Sequence, residues 1–166
     1  MLSPQSNWGP TSTLLEFGWS FKDAEASRPI GLAAHCLESH PRLWTLVRQA
    51  TGLLTGWDPG EAGVVYQYFN LLIRAYGPGQ GIRFHKDGLT QRSADSMFTE
   101  KVLGCVLYNT QPDECGLEFR PPDREGTPYW LPEAPGVVFC QEGDARWVWQ
   151  HGLRPLPPQA QRVSLT

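Results

Sequence analysis

From Val64 to the last residue, Thr166, the chain is a succession of short β-branched and aromatic runs, each cut off by glycine or proline. The runs are Val64 to Tyr76, Ile82 to Asp87, Val102 to Tyr108, Leu117 to Phe119, Gly136 to Cys140, Arg146 to His151 and Arg162 to Thr166. Branched and aromatic side chains suit a pleated, half-buried surface. Glycine and proline punctuate elements, and seventeen Gly with fifteen Pro leave little room for long helices. A helical bundle is excluded. Turns such as Trp57-Asp58-Pro59-Gly60 and Gly77-Pro78-Gly79-Gln80-Gly81 are expected to join neighbouring strands.

The first third reads differently. Residues 1–13 are polar and form a loose arm with Pro4, Gly9 and Pro10. Leu14 to Phe21 is strand-like, weakened by Gly18. Two helices are expected next. One runs from about Pro29 to Glu38, with Ile30, Ala33, Ala34 and Leu37 on its apolar face. Ser39 caps the second, Pro41 lies in its first turn, and Leu43, Trp44, Leu46, Val47 and Ala50 face inward. Gly52 or Gly56 ends it. Many short strands after helices predict an α+β fold. The expected form is a double-stranded β-helix, the cupin-like jelly roll, with an N-terminal helical layer packed on one sheet. A length of 166 residues suits a single domain over 1–166. Gly88 to Ser96 is expected as a polar loop, Pro121 to Pro128 as a surface excursion, and Pro155 to Pro158 as a stiff connection.

The net charge of -3 gives no general basic footprint, so contact with nucleic acid would need a local patch. Cys36, Cys105, Cys115 and Cys140 are scattered without a CxxC pair, which predicts free thiols and argues against a closed structural zinc site. No apolar run approaches a membrane span, and the N-terminus lacks a basic-then-apolar leader pattern. The expected protein is intracellular and soluble.

The chemistry concentrates at Phe84-His85-Lys86-Asp87. Residues two apart on a strand share a face, so His85 and Asp87 are predicted side by side. With His151 they make two imidazoles and one carboxylate. That facial set leaves positions open on a metal and characterises non-haem iron(II) oxygenases. A His-x-Asp alone is more often a surface turn. His35 and His40 have no carboxylate at ligand spacing and are expected to be structural or exposed.

The stretch Phe69 to Gly79, then His85-Lys86-Asp87, resembles the AlkB family of Fe(II)/2-oxoglutarate dioxygenases. So do Arg146-Trp147-Val148-Trp149-Gln150-His151-Gly152 and Arg162-Val163-Ser164-Leu165-Thr166. The resemblance runs from Phe69 onward and is loose before it. It implies His85, Asp87 and His151 as iron ligands. It implies Arg162 on the distal carboxylate of 2-oxoglutarate, with Tyr76 hydrogen-bonding the same co-substrate. A guanidinium suits that carboxylate bidentately. It also implies that Fe(II), 2-oxoglutarate and dioxygen together oxidise a C–H bond, releasing succinate and carbon dioxide. On an N-methyl group the product would collapse to formaldehyde and free amine.

Two departures bear on the co-substrate. Many members carry Asn where this chain has Arg74, and many continue past Ser-Leu-Thr with a second arginine for the proximal carboxylate. Arg74, on the face of Tyr76, is therefore expected near the proximal carboxylate. Tyr108-Asn109-Thr110, Glu114 and Gly116 to Phe119 are also similar to the prolyl-hydroxylase branch of the superfamily, which would imply a protein or small-molecule substrate. The Trp147 and Trp149 pattern favours the AlkB side. The expected substrate is an N-methylated base in DNA or RNA, with an aromatic slot from tryptophans such as Trp19. Arg83, Lys86, Arg92 and Lys101 would form a local basic rim. The rival from another class is a non-catalytic jelly-roll binding module.

Overall fold

Strands dominate the computed structural model, which describes residues 13–18, 39–59, 70–86, 101–123 and 126–166. In order they are β1 (Thr13–Gly18), β2 (Asn70–Tyr76), β3 (Ile82–His85), β4 (Val102–Asn109), β5 (Leu117–Arg120), β6 (Tyr129–Trp130), β7 (Val138–Gln141), β8 (Gln150–Leu153) and β9 (Arg162–Leu165). Helix α1 spans Pro41–Thr55 and the short α2 spans Gly143–Trp147. The strands form a five-stranded sheet in the order β1-β2-β9-β4-β7 and a four-stranded sheet in the order β3-β8-β5-β6. Every registered strand pair is antiparallel.

Side-chain alternation sorts each sheet into two faces. Tyr76 and Phe139 of the larger sheet pack with Leu117, Phe119 and Leu153 of the smaller one. This is the core between the sheets. Phe17, Leu71, Cys105 and Leu165 point out of the other face of the larger sheet and meet Val47 of α1. Two facing antiparallel sheets joined by crossovers fit a jelly roll. No described helix is long and apolar enough to cross a membrane.

Pro41 opens α1, where its missing N–H is no loss. The N-cap is His40 rather than the expected Ser39, and no side chain caps the first turn. Gly56 adopts φ 71 at the C-terminus, and its N–H bonds the Gly52 carbonyl at 2.9 Å. Arg48 then grips Asp58 with Nε–Oδ1 at 2.8 Å and Nη2–Oδ2 at 2.5 Å, tying the helix to the turn after it. The other expected helix, Pro29 to Glu38, lies outside the described residues, as do 19–28 and 60–69.

One expected element is corrected. Arg146 to His151 is not a continuous strand. Gly143 to Trp147 forms α2, and β8 begins only at Gln150. The Asp144 carbonyl accepts from both Val148 (2.8 Å) and Trp149 (2.9 Å) and closes the turn. Arg146 is fully buried, with its guanidinium 4.6 Å from the Trp147 ring centre, so the aromatic run is spent on a tight corner. β6 was not foreseen, being only Tyr129 and Trp130.

Candidate metal and co-substrate site

β3 and β8 run antiparallel with His85 directly across from His151. Their ring centres lie 4.5 Å apart. The register shifts between Ile82 and His85, an irregularity that re-aims the end of β3. His151 is buried beside the core residues and His85 is exposed at the edge strand. Gly152 makes the close approach possible. A Cβ there would stand 2.9 Å from the Ile82 carbonyl and 3.0 Å from Phe84 Cδ1.

Hydrogen bonds set the tautomers. His85 Nδ1 lies 2.7 Å from the Arg83 carbonyl. A carbonyl only accepts, so Nδ1 carries the proton, the tautomer in which Nε2 is the metal-ligating nitrogen. His151 is held the other way. Gln141 Nε2 donates to the Ala145 carbonyl at 2.8 Å and lies 3.0 Å from His151 Nδ1. The Ala145 carbonyl fixes which end of the amide faces inward, so His151 Nδ1 accepts and its proton sits on Nε2. Ligation through His151 Nε2 requires that proton to move to Nδ1 and the Gln141 amide to turn its oxygen inward.

The two imidazoles begin a row of rings across the smaller sheet, one from each strand. His151 lies 5.9 Å from Phe119, and Phe119 lies 6.4 Å from Tyr129. Phe119 registers with both His151 and Tyr129. Tyr129 is 55% exposed and opens the row to solvent at the sheet edge. Asp87, the third expected ligand, lies outside the described residues, and the described residues bring together no cluster of three or more His, Cys, Asp or Glu side chains.

The expected co-substrate residues sit together on the inner face of the larger sheet. Tyr76 registers with Arg162, whose guanidinium lies 5.4 Å from the Tyr76 ring centre. Arg74 registers with Ser164 on that same face and is half-buried. Arg162 is fully buried, and its fork is filled from within the chain. Nε and Nη2 donate to the two carboxylate oxygens of Glu133 at 2.6 and 2.7 Å, and Nη1 donates to Ser164 Oγ at 2.8 Å.

Other expected site residues are spread out. Arg83 is exposed and Lys86 half-buried beside His85, Lys101 pairs with Glu142 at 2.8 Å, and Arg92 and Trp19 lie outside the described residues. His40 stacks edge-on against Phe17, and His35 is outside the described residues. Cys105, Cys115 and Cys140 are free thiols, each pushed upward in pKa by burial.

No family model and no curated protein matches this chain. Solved structures do. A RmlC-like cupin protein from Desulfovibrio desulfuricans aligns at a TM-score of 0.31 and 18% identity, covering 58% of this chain and 70% of that one. A Pseudomonas putida prolyl-4-hydroxylase aligns at a TM-score of 0.39 and 20% identity, covering 98% of this chain and 72% of that one.

Sequence reasoning missed Glu133, Gln141, Phe119 and Tyr129. Glu133 had a signal: it is the lone charge in Leu131-Pro132-Glu133-Ala134-Pro135. A charge amid apolar residues and prolines invites a search for a buried partner.

Proposed function

We propose that this chain is an Fe(II)- and 2-oxoglutarate-dependent oxygenase on a jelly-roll scaffold, with His85, Asp87 and His151 as the iron ligands. The observation that carries the reading is the registered His85–His151 pair, with the His85 ring already in its ligating tautomer. Asp87 follows His85 by two residues, the spacing of a same-face carboxylate. Donors of this type suit iron(II) and leave room for co-substrate and dioxygen. Bound there, iron with 2-oxoglutarate would supply the oxidation of a substrate C–H bond.

The chain's own residues orient and shield. Gly152 lets β3 lie close over β8 and holds the two imidazoles together. The Arg83 carbonyl fixes the His85 ring. Arg74 is assigned to the proximal carboxylate of 2-oxoglutarate, and Tyr76 with Arg162 to the distal one. A distal carboxylate does not fit on Arg162 while Glu133 fills its fork.

The favoured substrate is an N-methylated base in DNA or RNA. Support comes from the exposed Tyr129 ring at the edge of the sheet that carries His85 and His151, because a flat base stacks on aromatic faces. The test is mass spectrometry of short methylated DNA and RNA strands after incubation with iron(II), with and without 2-oxoglutarate. Loss of a methyl group together with succinate formation supports the reading. Succinate formed only with a peptide or metabolite replaces the demethylase with a hydroxylase. No succinate with any of them removes the enzyme and leaves a binding module.

A further inference from the structure

We infer that Glu133 is an internal carboxylate standing in the binding fork of Arg162, and that a short dicarboxylate binds this chain by taking its place. The inference deepens the reading of Arg162 as a co-substrate residue and rests on it.

The geometry of the pair is that of a bound ligand. Two parallel bonds, from Nε and from Nη2, meet the two oxygens of one carboxylate. An incoming carboxylate would make the same side-on contact. Ser164 Oγ takes the outer Nη1 and holds the guanidinium in place whoever occupies the fork.

The segment that delivers Glu133 lies at the surface. It joins β6 to β7 and has no regular structure. Among Pro132, Glu133, Ala134, Pro135 and Gly136, only Glu133 is buried; the others are exposed. A surface loop thus dips a single side chain into the interior. Gly136 takes φ 89 at its far end, a conformation that favours glycine. The loop is held by Asn109 Nδ2, which donates to the Glu133 carbonyl at 3.0 Å, by Leu131 N–H to the Leu117 carbonyl at 2.9 Å and, at its far end, by Gly136 N–H to the Val106 carbonyl at 2.8 Å, so the residues from Pro132 to Pro135 are the part free to move with Glu133.

Charge dictates the exchange. A guanidinium at this depth cannot be left alone, since an uncompensated buried charge is strongly destabilising. Glu133 therefore leaves the fork rarely unless another carboxylate takes its place. One carboxylate replaces another, and the pocket keeps its charge balance. Loading Arg162 then releases the 132–135 loop, so ligand occupancy and loop position are one equilibrium. The apparent affinity is the intrinsic affinity multiplied by the small fraction of chains in which Glu133 has left the fork.

The test is thermal unfolding of wild type, Glu133→Ala and the double variant Glu133→Ala/Arg162→Leu, each with and without millimolar 2-oxoglutarate or glutarate. Glu133→Ala should melt roughly 10 °C below wild type. Either dicarboxylate should restore several degrees to Glu133→Ala, move wild type less, and leave the double variant unchanged. Equal responses in wild type and Glu133→Ala, or none in either, would overturn the inference. Should Glu133→Ala not fold, calorimetric titration of Glu133→Gln decides: 2-oxoglutarate should bind it at least about tenfold more tightly than wild type. Equal or weaker binding overturns the exchange. Glutarate lacks the 2-oxo group that would meet iron. Rescue of Glu133→Ala by glutarate, together with no succinate from 2-oxoglutarate and iron(II) in wild type, would therefore sink the oxygenase reading and leave this one standing.

Discussion

At the scale of single residues, the two histidines differ in readiness. The Arg83 carbonyl holds the proton on His85 Nδ1, whereas the Gln141 amide holds His151 in the opposite tautomer. Metal loading would have to turn one amide and break its bond to Ala145. A carboxylate at 141 would remove that cost, because it accepts from Nδ1–H. Gln141→Glu should raise Co(II) affinity roughly tenfold, read by calorimetric titration; a fall in affinity would show that the amide already supports ligation. The histidines themselves were legible in the sequence from their spacing and strand context. The atoms that set their tautomers were not. A backbone carbonyl such as that of Arg83 leaves no sequence signature, and Gln141 is far from both rings along the chain.

At the scale of elements, the site depends on how closely β3 rides over β8. Gly152 sets that distance, since any side chain would press on the Ile82 carbonyl and Phe84. Gly152→Ala should cost about 1–3 kcal/mol by overpacking, and should weaken metal retention by moving His85 from His151. Chemical denaturation and Co(II) titration read the two effects. Unchanged metal affinity in a destabilised variant would mean the ring pair tolerates a shift of β3. Most strands were legible because their apolar runs are bounded by glycine and proline, as at Val102 to Asn109 and Arg162 to Leu165. The corner at α2 was not. Arg146 and Trp147 carry strand-like side chains, and only the two N–H groups meeting the Asp144 carbonyl reveal a turn. Gly104 illustrates a further limit. It stands opposite Phe139, whose ring fills the space a side chain would need, and such a pairing across strands is invisible until register is known.

At the scale of the whole molecule, two sheets share one core and the outer face of the smaller sheet is clasped by charge. Glu118 is buried between Arg154 (2.6 Å) and Arg120 (2.7 Å). Burial pushes its pKa up, but the hydrogen bonds and charges of the two arginines pull it down further, and the net shift is downward. A carboxyl whose folded pKa is lowered stabilises above its unfolded pKa, and that stability is lost as pH falls through the folded value. Glu118→Gln should therefore lower stability by about 1–2 kcal/mol at neutral pH and flatten the acid limb of the stability profile. Denaturation midpoints across the acid range read both, and a parallel profile for the variant would remove Glu118 from the acid response. The antiparallel sheets of the expected jelly roll were legible at this scale because a chain rich in short β runs has few other ways to bury them; of the expected N-terminal helical layer the described residues hold α1 alone. The Arg162–Glu133 pair was half legible: Glu133 stands alone among apolar residues and prolines, but nothing in sequence separates an arginine waiting for a ligand from one already holding a carboxylate. The central claim, that His85 and His151 hold one metal ion, is tested most directly by Co(II) titration followed by absorption spectroscopy. One ion per chain is expected in wild type, with binding lost in His85→Ala and in His151→Ala while both variants keep a cooperative melt. Binding that survives both substitutions, or no binding in wild type, would contradict it.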